Sequence, residues 1–197
     1  MCYLVTLQAL KVKSKPIKGN VMIKAIVSVT QDWGIGYKGE LLVPNKADMQ
    51  HFVRMTTGAC VIMGSTTFET FPKGPLKNRR NIVLAQTHSY EREGFPKTTC
   101  TEQGTSVQNY EVYTSTQDAL SHIKPDEDVW IIGGAYTYQQ FLPYCTEVVV
   151  TKNDCIRQAD AYFPNLDKMD DWRITSTAEG GITSEGVHFS FVTYQHV

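Results

Sequence analysis

The chain has 197 residues, 42% hydrophobic and 20% charged, with 19 Lys and Arg against 20 Asp and Glu, a formal net charge of −1. That length suits one domain with an ample core. The near-neutral charge excludes sequence-independent nucleic-acid binding, which needs clustered cations, and no apolar run approaches the roughly 20 residues that span a bilayer.

The five cysteines are odd in number and contain no C-x-x-C pair, which points to a reducing, cytoplasmic setting. The five histidines show no H-x-x-x-H spacing, so no metal site is expected, and His51 reads as a surface residue of a helix.

Residues 1–21 stand apart as an N-terminal extension, disordered or an upstream start, because their lysines follow the apolar stretch instead of preceding it. From residue 22 onward the chain reads as one domain. Ile23–Val29 is a β-branched run too apolar for a one-sided strand and belongs in a central position. A glycine loop follows, and Asn45 caps a helix reaching about Thr57, with Met49, Phe52, Val53 and Met55 as its apolar positions. Cys60–Gly64 is a short buried strand and Ser65–Glu69 a short helix. Pro72–Asn78 is a turn and Asn81–Leu84 a further buried strand. Residues 86–109 show no clear pattern and are functional, inserted or hiding a strand.

Tyr110–Tyr113 reads as a strand, Thr116–Ile123 as a helix, and Val129–Ile132 as a buried strand ended by Gly133-Gly134. Ala135–Leu142 is a helix stopped by Pro143, and Glu147–Lys152 a strand. Trp172–Thr177 and Val187–Tyr194 alternate and close the chain. Short buried strands alternating with helices imply an α/β domain: a mostly parallel twisted sheet with an antiparallel C-terminal edge, flanked by helices.

Several motifs have a chemical and a plain structural reading. Gly34 to Gly39 matches G-x-G-x-x-G, but Pro44 blocks the helix that a dinucleotide fingerprint requires, so a flexible glycine loop able to cover a ligand is the better reading. Gly133-Gly134 is either a tight strand-to-helix turn or a close approach to a phosphate. Gly64-Ser65-Thr66-Thr67 offers hydroxyls that cap a helix or meet a ligand. Two such junctions in one sheet favour an elongated, phosphate-bearing cofactor. Asp48 in the first helical turn is favoured there by the helix dipole, by about 0.3–1 kcal/mol. That structural reading leads for the residue taken alone; the chemical reading is that, beside Met49 and Phe52, it binds an amidine-like heterocycle and assists its protonation. Arg79 is a solvated turn charge or a fork for a carboxylate.

Taken in order, these pieces resemble the dihydrofolate reductase family. They are I-V-S-V-T-Q-D-W-G-I-G at 26–36, P-N-K-A-D-M-Q-H-F at 44–52, V-I-M-G-S-T-T-F-E at 61–69, P-L-K-N-R-R-N-I-V-L at 75–84, W-I-I-G-G-A-Y-T-Y-Q-Q-F-L-P at 130–143, and V-V-V-T followed by A-D-A-Y-F-P at 159–164.

The resemblance implies a dihydrofolate reductase-like domain over 22–197 that reduces 7,8-dihydrofolate to tetrahydrofolate with hydride from NADPH, in one-carbon and thymidylate metabolism. It is expected to be a cytoplasmic monomer open to antifolate inhibitors, with no metal, nucleic-acid or membrane partner. Asp48 is then the catalytic acid that assists pterin protonation, Thr151 its support, and Arg79 the partner of a glutamate-tail carboxylate. Ile26, Val27, Met49, Phe52, Phe71 and Leu76 line the pterin and aminobenzoyl pocket. Val27, Gly34, Ile35, Gly36, Gly39, Gly64, Ser65, Thr66, Thr67, Ala85 and Gln86 fall to the cofactor, with Ile132, Gly133, Gly134, Ala135, Tyr136, Thr137, Tyr138 and Gln140.

The chain departs from the family pattern at Val43, where Trp is common, at Ser65, where Arg is common, and at Ala85, where a hydroxyl is common. The Ser65 departure admits NADH as an alternative cofactor, unless His88 or Arg92 replaces the missing charge. The other readings are a ribosylated-pyrimidine reductase of the same fold and a catalytically inactive nucleotide-binding module.

Overall fold

The computed structural model describes residues 21–95 and 110–197. The N-terminal extension, apart from Val21, and the stretch 96–109 lie outside the described residues.

The strands are β1 (Met22–Val29), β2 (Gly34–Tyr37), β3 (Glu40–Leu41), β4 (Cys60–Gly64), β5 (Arg80–Leu84), β6 (Tyr110–Tyr113), β7 (Asp128–Gly133), β8 (Glu147–Asn153), β9 (Ala161–Tyr162), β10 (Trp172–Ile182) and β11 (His188–His196). The helices are α1 (Lys46–Thr56), α2 (Ser65–Glu69), α3 (Thr116–Ser121) and α4 (Ala135–Phe141).

Eight strands form one sheet in the order β10-β11-β8-β1-β7-β4-β5-β6. The six from β8 to β6 run parallel, while β10 and β11 are antiparallel at the edge. The central place of β1 follows from its sequence. Its apolar residues satisfy both faces, with Ile23, Ala25, Val27 and Val29 in one core cluster and Ile26 in the other.

Three details differ from the sequence reading. The glycine loop is partly ordered as the hairpin β2–β3, which joins β9 in a small second sheet. Helix α4 does not stop dead at Pro143: the chain turns on through a single 3₁₀ turn, Leu142–Tyr144, where proline at an early position costs no hydrogen bond. The C-terminal strands are longer than their alternation suggests, since β10 carries bulges that break the period of two.

Candidate active site

A large cleft, of about 1120 Å³, opens at the C-terminal ends of the parallel strands. Its walls come from the ends of β1, β4, β5 and β7 and from the residues after β6. Ligands favour this end of an open α/β sheet, because the loops and helix starts converge there. The volume exceeds that of one drug-sized ligand and suits two molecules in contact.

Asp48 stands at one end. Asn45 begins α1 with its side-chain oxygen accepting from the backbone N–H groups of Ala47 (3.0 Å) and Asp48 (3.2 Å). The inward stripe of the helix is Asp48, His51, Phe52, Met55 and Thr56, a helical i, i+3, i+4 pattern. The sequence expectation differs here: Met49 and Val53 are about half exposed, and His51 is half-buried with its ring on Phe191.

The hydroxyl of Thr151, fully buried on β8, donates a 2.5 Å hydrogen bond to Asp48 Oδ1. Burial pushes the Asp48 carboxyl above the usual aspartate range, opposed by that hydrogen bond and by His51. A carboxyl group of this kind holds a proton more readily than a surface aspartate. Beneath it Tyr138 donates 2.6 Å to the carbonyl of Ile26 and ties α4 to β1 under the cleft floor.

The two glycine junctions interlock. A Cβ on Gly64 would stand 2.9 Å from Thr137 Oγ1, and one on Gly134 would stand 3.1 Å from Thr67 Oγ1. Each junction therefore leaves room for a hydroxyl of the other, and the Gly133–Gly134 peptide is cis. From β1 the cleft crosses four strand spacings to β6, about 19 Å at the usual interstrand distance. An extended dinucleotide with its reactive ring beside Asp48 fits that span.

The far wall is a third junction, Thr114 to Gln117, which the sequence reading assigned no ligand role. Its signal was present in Ser115, whose hydroxyl caps α3 by accepting from Asp118 N–H at 3.1 Å. Among the described residues the cleft lining has no Lys, Arg or His, while Glu40, Asp48 and Asp160 are its acids. No group of His, Cys, Asp and Glu able to hold a metal ion occurs among the described residues.

The mouth is set by the β2–β3 hairpin. Asp160 holds it from both sides, accepting from Lys38 N–H (2.9 Å) while its own N–H donates to the Gly36 carbonyl (3.1 Å). Ile35, Gly36 and Gly39 face the cleft. Gly34 does not: a Cβ there would collide with Thr30, Ala159 and Leu42 at 2.8 to 3.0 Å, so this glycine serves packing.

The structure brings most sequence-derived candidates into the lining. Ile26, Val27, Met49, Phe52 and Phe71 surround the Asp48 end, and the residues of both glycine junctions, with Ala85 and Gln86, continue the wall. Four stand outside it: Gly34, as above, and three others. Thr151 acts through Asp48. Leu76 packs into the core cluster beside Phe52 and Phe71. Arg79 lies behind Phe52 at the end of α1, donating to Thr56 Oγ1 (2.9 Å), Thr57 Oγ1 (3.2 Å) and the Lys77 carbonyl (2.8 Å).

Neither candidate for the missing cation lines the cleft. Arg92 is engaged elsewhere, donating to the carbonyls of Phe68 (2.6 Å) and Phe71 (2.7 Å) at the end of α2. His88 sits at the rim, 3.3 Å from Thr114 Oγ1.

Comparison with known proteins agrees with this geometry. The family model described as dihydrofolate reductase matches residues 22–196. The dihydrofolate reductase of Neisseria gonorrhoeae is 34% identical over 75% of this chain and 81% of its own length. That of Schistosoma mansoni is 30% identical over 87% and 95%. A solved dihydrofolate reductase from Enterococcus faecalis, complexed with NADP(H) and RAB-propyl, superposes with a TM-score of 0.74 at 24% identity, over 89% of this chain and 96% of that one, and so shares its fold.

Proposed function

The chain belongs to the dihydrofolate reductase family, and on that premise we propose how its cleft reduces 7,8-dihydrofolate to tetrahydrofolate with NADPH. The observation that carries the reading is Asp48: one buried carboxyl group, held by Thr151, at the end of a cleft large enough for two ligands.

When bound, NADPH supplies the hydride that passes from C4 of its nicotinamide to C6 of the pterin. The protein's part is positioning, water exclusion and proton management. Asp48 accepts two hydrogen bonds from the amidine-like edge of the pterin, and its raised proton affinity assists protonation at N5. Thr151 keeps the carboxylate oriented. Phe52, Phe71 and Met49 would pack the ring and its aryl extension, and the β2–β3 hairpin at the cleft mouth would cover the nicotinamide.

The glycine junctions form the wall along which the cofactor would lie, because the absence of side chains at Gly64 and Gly134 lets the Thr137 and Thr67 hydroxyls pack between the two. Arg79, held at the end of α1 against the Phe52 ring, is the residue we assign to the carboxylate of the glutamate tail beyond the cleft, since its guanidinium suits a bidentate pair. Antifolate inhibitors occupy the same Asp48 end. The reading carries a cytoplasmic monomer with residues 1–21 as an extension of the catalytic domain. No helix among the described residues is long and apolar enough to cross a membrane.

The test is NADPH oxidation dependent on dihydrofolate, for the wild type and Asp48→Asn. Turnover that collapses in the variant supports the reading. A folded wild type inactive with both NADPH and NADH overturns it.

A further inference from the structure

Helix α1 is fastened unevenly. Its one fully buried residue, Thr56, lies at the C-terminal end. At the N-terminal half two side chains one turn apart make the contact with the strands. Asp48 accepts the 2.5 Å hydrogen bond from Thr151, and the His51 ring lies on that of Phe191, with centroids 4.3 Å apart.

Thr151 and Phe191 are directly opposed in the antiparallel β8–β11 pair. Their side chains therefore stand next to one another on the same face of the sheet. Residues three apart on a helix are neighbours in the same way. The four residues close a ring of contacts: two from the helix, two from the strands. Phe189 supports it from behind, its ring edge-on to Phe191 at 5.6 Å.

His51 is not part of the cleft lining, so it acts on the chemistry through another group. Resting on the role given to Asp48 above, the structure assigns His51 as a positioning residue. Its seat on Phe191 sets the roll of α1 that brings the Asp48 carboxylate to Thr151. Phe52 and Met55, packed on the second core cluster, and the buried Thr56 hold the rest of α1 in place. Without the ring its N-terminal turns are free to shift, and a short, directional hydrogen bond is the first contact that such a shift breaks.

The charged groups acting on the imidazole are Arg54 and Asp48 of its own helix, while the strands opposite present Thr151 and Phe191. Burial and Arg54 hold the imidazole below the usual histidine range, against the pull of Asp48. A neutral ring is what a packing seat requires.

The experiment compares His51→Ala, His51→Phe and Phe191→Leu for turnover against pH. His51→Ala is expected to lower kcat roughly ten- to a hundredfold, as small misplacements of catalytic groups do, with KM for NADPH unchanged. The pH midpoint governed by Asp48 moves upward, because a loosened Thr151 bond no longer favours the carboxylate. His51→Phe keeps the seat and retains most of the turnover, and its midpoint moves less than that of His51→Ala, because it loses the influence of the imidazole on Asp48 but keeps the Thr151 bond. Phe191→Leu reproduces the loss, and combining it with His51→Ala adds little.

Wild-type kcat and midpoint in His51→Ala overturn the assignment, as does a His51→Phe variant as impaired as His51→Ala. If His51→Ala does not fold, His51→Gln replaces it, and equal loss in the Gln and Phe variants overturns it. A wild type that shows no dihydrofolate-dependent turnover defeats the functional reading instead.

Discussion

Thr151 reaches Asp48 across 103 residues of chain with a hydrogen bond of 2.5 Å. One partner ends its side chain in an apolar, buried strand, and the other begins a half-buried helix. The bond retains a carboxylate in a place where burial alone would protonate or expel it.

Asp48→Asn keeps the shape and the Thr151 partner but cannot ionise. Dihydrofolate turnover at neutral pH is expected to fall by about 10²–10⁴-fold, the usual worth of a positioned acid or base. The loss narrows as pH falls, since solvent then supplies the proton. Steady-state rates for both proteins across the acid range measure this.

The same substitution has a stability consequence. Burial raises the folded-state pKa of Asp48, so the folded state holds its proton more tightly than the unfolded chain. Its cost to stability is absent below the unfolded value, grows as pH rises from there through the folded value, and is fully present above it. Asp48→Asn therefore melts higher than the wild type at neutral pH, and the difference disappears in acid. Thermal melts at several pH values decide it.

Gly64→Ala places a Cβ 2.9 Å from Thr137 Oγ1, at the meeting of the two glycine junctions. Overpacking of this kind costs about 1–3 kcal/mol. Where it displaces the cofactor wall it raises KM for NADPH by about tenfold or more. KM for dihydrofolate stays closer to wild type, because Asp48 lies at the other end of the cleft. Separate titration of the two substrates reads the asymmetry.

Discrimination between NADPH and NADH is expected to be small, since the described lining offers hydroxyls and amides to the extra phosphate and no cation. Ser65→Arg adds a charge-assisted bond worth about 1.5–3 kcal/mol, which raises the NADPH preference by roughly ten- to a hundredfold. The ratio of kcat/KM values for the two cofactors gives the answer directly.

Arg80 ties β5 to β6 and to the turn before β7. It donates twice to Glu111 at 2.7 Å and once to Glu127 at 2.8 Å, and all three side chains are largely buried. Arg80→Gln leaves two partly buried carboxylates without their cation and lowers stability by about 2–3 kcal/mol, less than for a fully buried pair. Turnover at low temperature is unchanged, since none of the three lines the cleft. Urea denaturation and an activity assay on one preparation separate the two effects.

Elements of short range were legible without coordinates. The two-faced burial of β1 follows from its β-branched run, and the start of α1 from Asn45, because a strand period and a cap each depend on a few neighbouring residues. The strand-glycine-helix junctions were visible for the same reason. Their interlocking was not, since Gly64 and Thr137 come together only when β4 pairs with β7. The inward face of α1 was misjudged where the stripe holds Asp48 and His51 while Val53 is exposed and Met49 stands at the cleft instead of in the core. Hydrophobicity marks which residues prefer burial, and what a helix packs against decides which are buried.

The sequence by itself determined the order of elements, the parallel core and the family to which the chain belongs, because local propensity and spacing carry those. Only the tertiary structure decided that Gly64 meets Thr137, that His51 sits on Phe191, and that Arg92 closes the end of α2 instead of facing the cofactor. Each is a contact between segments far apart in the chain, set by strand register and helix roll, and no local pattern encodes either.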